Sequence, residues 1–181
     1  RDVVQHCVFG LVTVRRDGAR LAFAAPPLRR SGPLDDGTLG TVRAALRLDA
    51  SDVVGHQWVD NGPGWCAVML PSAQAVRALV PDWAALGTLK LGVIGPQPAG
   101  DETQFEVRSF IGGGNFEDPV TGSLNAGLAM WLIGAGLAPE AYVAAQGHAL
   151  QRAGRVHVRR EGGRVWVGGD VSPCIDGEVD L

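Results

Sequence analysis

The chain has 181 residues, of which 46% are apolar and 19% charged, and its formal net charge at pH 7 is −3. That apolar share is enough to bury a core in one or two small domains. The isoelectric point of about 5.8 argues against a nucleic acid or an anionic membrane as a partner, because both require a basic surface.

Three cysteines, at positions 7, 66 and 174, are too few and too widely spaced for a disulfide framework or a zinc site. Their odd number is typical of a reducing compartment, and no N-terminal segment has the pattern of a signal peptide. The apolar run Leu124–Ala138 is too short and too rich in glycine to span a membrane. We therefore expect a cytoplasmic protein without a metal site.

Hydrophobic alternation and turn residues predict strands and two helices in the first half of the chain. Between the first hairpin and the first helix, Pro26–Asp36 contains three prolines and no periodicity, and it is predicted to connect two lobes. The predicted elements are a hairpin of strands Val8–Arg15 and Arg20–Ala24, a helix from Asp36 or Thr38 to Leu48, strands Val53–Asp60 and Trp65–Leu70, and a helix from Ser72 to Leu79.

The second half is predicted to be mostly strands around one long helix. Thr121 is the expected N-cap of this helix, and an uncharged run follows to Leu137. A helix that is apolar on all sides is buried. The predicted strands are Lys90–Ile94, Gln104–Phe110, Tyr142–Ala145, a hairpin over Arg155–Gly168, and a short strand near Glu178.

The segment Asn115–Asn125 contains most of the residues that could carry chemistry. A helix N-terminus has unpaired N–H groups and partial positive charge, so it binds anions. Here it comes with a carboxylate on Asp118, hydroxyls on Thr121 and Ser123, and the amide of Asn125. This combination predicts a site that holds a small carboxylate-bearing molecule and moves a proton on it. The alternative is purely structural: Thr121 caps a core helix, and Asp118 stabilises its positive end by up to about 1 kcal/mol.

Adjacent residues of an extended segment point in opposite directions, so only one member of the Glu117-Asp118 pair can face a given cleft. Asp118 lies nearer the helix start and is the better candidate. Glu117 is expected to be exposed or paired with Arg108, for which a surface salt bridge is the default interpretation.

One stretch of the chain resembles another. Residues Val12–Leu21 align without gaps on Val156–Val165, and both stretches contain a charged turn. Internal similarity indicates duplicated structural units, although two hairpins of constrained composition can also look alike by chance. If the similarity reflects duplication, each hairpin closes one lobe. The first then has only about ten residues ahead of it, so the core of its lobe is missing from this chain.

The string Glu117–Ser123, preceded by Arg108–Phe110, resembles the phenazine-biosynthesis PhzF-like family. That family shares the diaminopimelate epimerase fold, in which two lobes related by a pseudo-twofold axis each curve a mostly antiparallel sheet around a central helix. The resemblance spans nearly the whole chain. It is supported by Gln146-Gly147, by Arg152 through Arg155-Val156, by Val165–Gly169, and by Phe9–Leu28 as the end of the first lobe.

The resemblance implies a cofactor-independent isomerase, in which a first-lobe glutamate removes a proton from the substrate and returns it elsewhere. By position, Asp118 would hydrogen-bond and orient the substrate. Ser123 and the amides near Gly122 would bind its carboxylate, with Thr121 and Asn125 beside them. Two departures matter: Asn125 stands where the family often has a histidine and cannot titrate near neutral pH, and the first-lobe glutamate has no counterpart in this sequence.

We therefore expect an α+β protein with a mostly antiparallel sheet curved around a central buried helix. Residues 1–30 would form the closing hairpin of a largely absent first lobe, and 31–181 the second lobe. The chain would be the substrate-holding lobe of a PhzF-like isomerase, without a cofactor and inactive without its first lobe. The alternative is a non-catalytic module that binds small carboxylates. The expected partners are the substrate and the missing lobe, in the same gene or on a separate chain; self-association into a homodimer stays open.

Overall fold

The computed structural model describes residues 2–7 and 10–178, which form a mixed sheet of eleven strands with four α-helices. The N-terminal meander consists of β1 (Val3–Cys7), β2 (Gly10–Asp17) and β3 (Arg20–Ala24). The predicted hairpin of β2 and β3 is confirmed, whereas the sequence gives no signal for β1. Val8 and Phe9, at the start of the predicted first strand, lie outside the described residues.

The middle of the chain has the predicted order of elements with shorter bounds, and one additional helix. Arg47 adopts a left-handed conformation with φ 55°, so the first helix ends two residues before Leu48. The additional helix, α3, is only one turn long, and Asp82 caps it by accepting a hydrogen bond from the Ala85 amide. The elements are α1 (Asp36–Leu46), a 3-10 turn (Ala50–Asp52), β4 (Gly55–Trp58), β5 (Trp65–Met69), α2 (Ala73–Arg77) and α3 (Trp83–Leu86).

The last part contains the long helix and the predicted strands, with one exception. The predicted short strand near Glu178 is not formed in the described residues 170–178, which have no regular structure and are exposed; residues 179–181 lie outside the described residues. The elements are β6 (Lys90–Pro96), β7 (Phe105–Ile111), a 3-10 turn (Gly112–Gly114), β8 (Phe116–Glu117), α4 (Gly122–Gly134), β9 (Ala141–Gln146), a 3-10 turn (His148–Leu150), β10 (Gly154–Glu161) and β11 (Arg164–Gly169).

The sheet curves around α4, as expected. Its order is β1-β2-β3-β11-β10-β9-β7-β6-β5-β4, with β8 paired to β7. Within the described residues only the β5–β6 and β7–β9 pairs are parallel. Helix α4 contacts β10 and β11 and also β5, which lies several strands away in the sheet. One helix can reach both places only if the sheet wraps around it.

The two faces of the sheet support two separate cores. Nine of the thirteen residues of α4 are buried, and seven of these belong to the core on the concave face. Helices α1, α2 and α3 cover a second core on the other face. Helix α4 packs so closely that a Cβ atom at Gly127 would overlap the carbonyl oxygen of Val59. Strand β7 separates the cores, with Val107 facing α4 and Phe110 facing the second core, as strand alternation predicts.

The two similar hairpins are also alike in structure. Asp17 pairs with Arg20 at the end of the first hairpin, and their counterparts Glu161 and Arg164 pair in the second. In the β3–β11 pair, Phe23 lies opposite Val167, which is its own counterpart in the alignment. Equivalent residues meet in this way only at a local twofold axis. The similarity therefore extends from sequence to register, while the domain boundary at residue 30 stays a prediction.

Candidate functional site

Helix α4 begins at Gly122 with its N-terminus uncapped by a side chain. Thr121 occupies the N-cap position, as predicted, but its side chain makes no capping hydrogen bond. The first intrahelical bond runs from the Asn125 amide to the Thr121 carbonyl. The preceding N–H groups of the first turn have no acceptor within the helix. They leave the positive end of a buried helix available to an anion.

This terminus opens into a cavity of about 440 Å³ beside the N-terminal meander. Gly122 and Ser123 line the cavity, and Phe23 lies so close that a Cβ at Gly122 would meet its ring at 3.2 Å. Polar groups come from few residues, so the cavity is mainly apolar. The other lining residues are Gln5, Cys7, Val12, Val14, Leu21, Ala22, Pro26, Asn61 and Pro63.

Ser123 is fixed by two residues that sequence reasoning missed. Its hydroxyl accepts a hydrogen bond from Trp65 Nε1 at 3.0 Å, and its carbonyl accepts one from Asn61 Nδ2 at 2.8 Å. Because the hydroxyl acts as an acceptor toward Trp65, its single proton can be donated to a ligand. Nothing in the local sequence links residues so far apart in the chain.

Behind the helix terminus, Gln146 is the centre of a buried network. Its Oε1 accepts from the Thr121 amide at 3.1 Å and from Asn125 Nδ2 at 2.8 Å. Its Nε2 donates to the Asp118 carbonyl at 3.0 Å and to Thr121 Oγ1 at 3.1 Å. These four bonds use the full capacity of a glutamine amide. Gln146 supports the family resemblance in the sequence, but no sequence signal gives it this position.

The network also determines which group donates in the hydrogen bond between the Thr121 hydroxyl and the Asp118 carboxylate. A backbone amide can only donate and a backbone carbonyl can only accept, so Thr121 N and Asp118 O together fix the orientation of the Gln146 amide. Thr121 Oγ1 accepts from Gln146, and its proton therefore goes to Asp118 Oδ2, at 2.6 Å. The Asp118 carboxylate is held by one oriented hydroxyl.

The predicted site residues thus fall into two groups. Gly122 and Ser123 line the cavity. Thr121 and Asn125 are buried behind it, and Asn125 donates both amide hydrogens, to the Thr121 carbonyl and to Gln146. Asp118 is half-buried and joined to the network through Thr121, but it is not among the residues lining the cavity.

The predicted pairing of Glu117 with Arg108 is confirmed, but the ion pair is buried, so the prediction of a surface salt bridge is wrong. Both side chains are 6% exposed, with Nε–Oε1 and Nη2–Oε2 distances of 3.0 and 2.6 Å. Arg108 also donates to the Leu79 carbonyl beyond α2, at 2.6 Å. Pairing of β8 with β7 places Glu117 opposite Phe110, on the face that α2 covers. The ion pair thereby anchors the segment that leads into Asp118.

The described residues give little support for a cysteine nucleophile, a metal site or a membrane-spanning helix. Burial raises the pKa of the Cys66 thiol to about 12, which makes it a poor nucleophile. Residues 2–7 and 10–178 contain no cluster of three His, Cys, Asp or Glu side chains that could hold a metal ion. No helix in these ranges is long and apolar enough to cross a membrane.

A mixed sheet curved around a buried helix, with a cavity at the start of that helix, defines an α+β fold. The profile of the PhzC-PhzF family, described as phenazine biosynthesis-like protein, matches residues 1–177. The chain belongs to this family. A comparison with curated proteins gives no match.

Solved structures have the same fold at low sequence identity. A phenazine biosynthesis protein of the PhzF family from Enterococcus faecalis is 22% identical with a TM-score of 0.73, and the match covers 99% of this chain and 65% of that one. A putative PhzC/PhzF protein from Clostridium difficile is 20% identical with a TM-score of 0.71, and the match covers 100% of this chain and 66% of that one. A predicted epimerase from Pseudomonas aeruginosa is 24% identical with a TM-score of 0.71, and the match covers 94% of this chain and 63% of that one. The chain thus spans slightly less than two thirds of the length of these proteins.

Proposed function

We propose that this chain is the substrate-holding part of a cofactor-independent isomerase that moves a proton within a small carboxylate-bearing substrate. The observation that carries the proposal is the uncapped N-terminus of α4, where Gly122 and Ser123 open into the mainly apolar cavity. Family membership supports the same reaction class.

The helix terminus would bind the substrate carboxylate. Free N–H groups at the start of a helix, together with the positive end of its dipole, stabilise an anion, and the Ser123 hydroxyl adds a second kind of donor. Hydrogen bonds to a charged acceptor contribute about 1.5–3 kcal/mol each. The apolar walls suit a substrate whose remaining body is apolar.

Asp118 would orient the substrate by a hydrogen bond, with its own carboxylate held by Thr121. The general base would come from a first lobe outside these 181 residues. Two observations support such a lobe: the chain spans 63–66% of the related structures, and the local twofold axis between Phe23 and Val167 relates two hairpins of equal register.

Titration of benzoate into the chain tests the anion site. We expect saturable binding, and Ser123→Ala should weaken it about tenfold or more because a charge-assisted bond is lost. Ser51→Ala, an exposed position in the 3-10 turn after α1, should have no effect. Benzamide has the same shape without the charge and should not bind. Equal binding of benzoate and benzamide, or an unaffected Ser123→Ala variant, would exclude the helix terminus as the anion site.

Proton exchange tests the reaction itself. The coding sequence upstream of Arg1 should encode a first lobe, or a partner chain should supply it. If neither is found, the two-lobe proposal is wrong. With that lobe present, the protein should exchange a substrate C–H proton with deuterated water, and Asp118→Asn should remove most of the exchange.

A non-catalytic carboxylate-binding module is the second candidate. Its support is Asn125, which has no titratable group and donates both amide hydrogens within the network. Benzoate binding without any substrate proton exchange, even beside the first lobe, would favour the module. Exchange that Asp118→Asn leaves undiminished would instead remove Asp118 from the mechanism.

A further inference from the structure

A second, smaller cavity has a polar lining, which includes Gln146 of the network behind the helix terminus. Its volume is about 150 Å³, and its walls include the side chains of Arg77, Arg152 and Arg155 together with Asp101 and Glu106. We call it the arginine pocket. Three guanidinium groups and two carboxylates around so small a space indicate a site for a ligand that carries charges of both signs.

Strand register builds the pocket. Glu106 of β7 lies opposite Ala145 of β9, and Ala145 lies opposite Arg155 of β10, so the three side chains share one face of the sheet. Two strand spacings separate the backbones of Glu106 and Arg155 by roughly 10 Å. Ala145, whose side chain is a single methyl group, lies between them in the sheet, and all three residues line the pocket.

Glu106 and Arg155 each have a buried polar atom that makes no hydrogen bond among the described residues. Glu106 is fully buried, and its Oε2 accepts from Arg77 at 2.9 and 2.7 Å and from Gln97 at 3.3 Å, whereas its Oε1 has no partner. Arg155 donates through Nη1 to the Gly154 carbonyl and through Nη2 to Glu102, each at 3.2 Å, whereas its Nε has no partner. Buried polar groups in native proteins are paired, so a ligand with a donor at one end and an acceptor at the other would satisfy both.

We propose that the arginine pocket binds a small α-amino acid. Its ammonium group would donate to Glu106 Oε1, and its carboxylate would accept from Arg155 Nε, with Arg152 nearby. Both bonds are charge-assisted, and such bonds are about twice as strong as those between two neutral groups. The small volume of the pocket, about 150 Å³, suits glycine, alanine or serine. This proposal does not depend on the function proposed for the helix terminus.

Calorimetric titration of the chain with glycine and L-alanine tests the proposal. We expect saturable binding of both, and much weaker binding of acetate and of methylammonium, each of which carries half of the zwitterion. L-Phenylalanine should not bind, because its ring exceeds the pocket. Arg155→Met and Glu106→Gln should each weaken glycine binding about tenfold or more, since each removes a charge-assisted bond.

Arg159→Met is the matched control, because Arg159 lies on the same strand but does not line the pocket; glycine binding should not change. Arg155 is partly exposed, so its variant still decides the question if Glu106→Gln does not fold. The proposal is overturned if glycine gives no saturable binding, if acetate binds as well as glycine, or if Arg155→Met leaves the affinity unchanged. A crystal structure grown with glycine that contains only water in the pocket would overturn it as well.

Discussion

Replacing Gln146 with methionine should destabilise the protein far more than any local sequence feature indicates. Methionine is similar in length and volume and leaves little empty space, so the change removes hydrogen bonds without creating a large cavity. The variant loses all four bonds of the buried amide, which join the Asp118 and Thr121 backbone, the Thr121 hydroxyl and the Asn125 side chain.

The magnitude follows from which groups are left without partners. The Thr121 amide and one Asn125 amide hydrogen lose their acceptor in a buried environment, at about 1–3 kcal/mol each. The Asp118 carbonyl belongs to a half-buried residue and can bind water, and Thr121 Oγ1 keeps its bond to Asp118. We expect the free energy of unfolding to fall by about 4 kcal/mol and Tm to fall by about 8–16 °C for a chain of this size.

Urea unfolding followed by tryptophan fluorescence measures this loss, and Gln104→Met is the control. Gln104 is exposed and its side chain accepts one hydrogen bond, from the Val143 amide at 2.8 Å, so its replacement should cost about 0.5–1.5 kcal/mol. If the two variants lose the same free energy, the network is not organised around Gln146. In a cycle with Asn125→Leu, the double variant should lose less than the sum of the two single losses, because the variants share one bond.

Gly127→Ala should destabilise the protein by about 1–3 kcal/mol or more, since the added methyl group would overlap the Val59 carbonyl oxygen. Gly134→Ala, in the same helix but facing open space, should be neutral or stabilising by up to about 1 kcal/mol; thermal unfolding compares them. For Cys66, burial raises the thiol pKa to about 12 in the folded chain against 9.0 for an unburied thiol. Above about pH 9 the unfolded state therefore binds fewer protons, and stability should fall by up to about 1.4 kcal/mol per pH unit. Cys66→Ala should remove the contribution of this thiol to the fall in stability, measured between about pH 8 and about pH 10.

Two results would contradict these expectations. A Gly127→Ala variant as stable as Gly134→Ala would mean that α4 does not lie directly against the chain at Val59. An alkaline decline in stability that is the same in the wild type and in Cys66→Ala would mean that the thiol is not desolvated in the folded state.

The sequence was sufficient for the features that depend on local pattern. Alternation separated Val107 from Phe110, and an uncharged apolar run after Thr121 predicted a buried helix, because both depend only on the period of the backbone. The gapless alignment of two hairpins predicted two similar units, and their registers are indeed equal. Element ends were less accurate, because a single left-handed residue such as Arg47 ends a helix without a strong sequence signal.

Tertiary structure decided what each side chain of the site does. The sequence determined that a helix terminus, an acid and hydroxyl groups lie together in Asn115–Asn125, since they are neighbours along the chain. Only the fold brought Gln146, Asn61 and Trp65 to that segment, turned Thr121 toward Asp118, and divided the predicted residues between cavity and network. Contacts between distant residues depend on strand pairing and helix packing, and neither is encoded in the spacing of residues along a single chain.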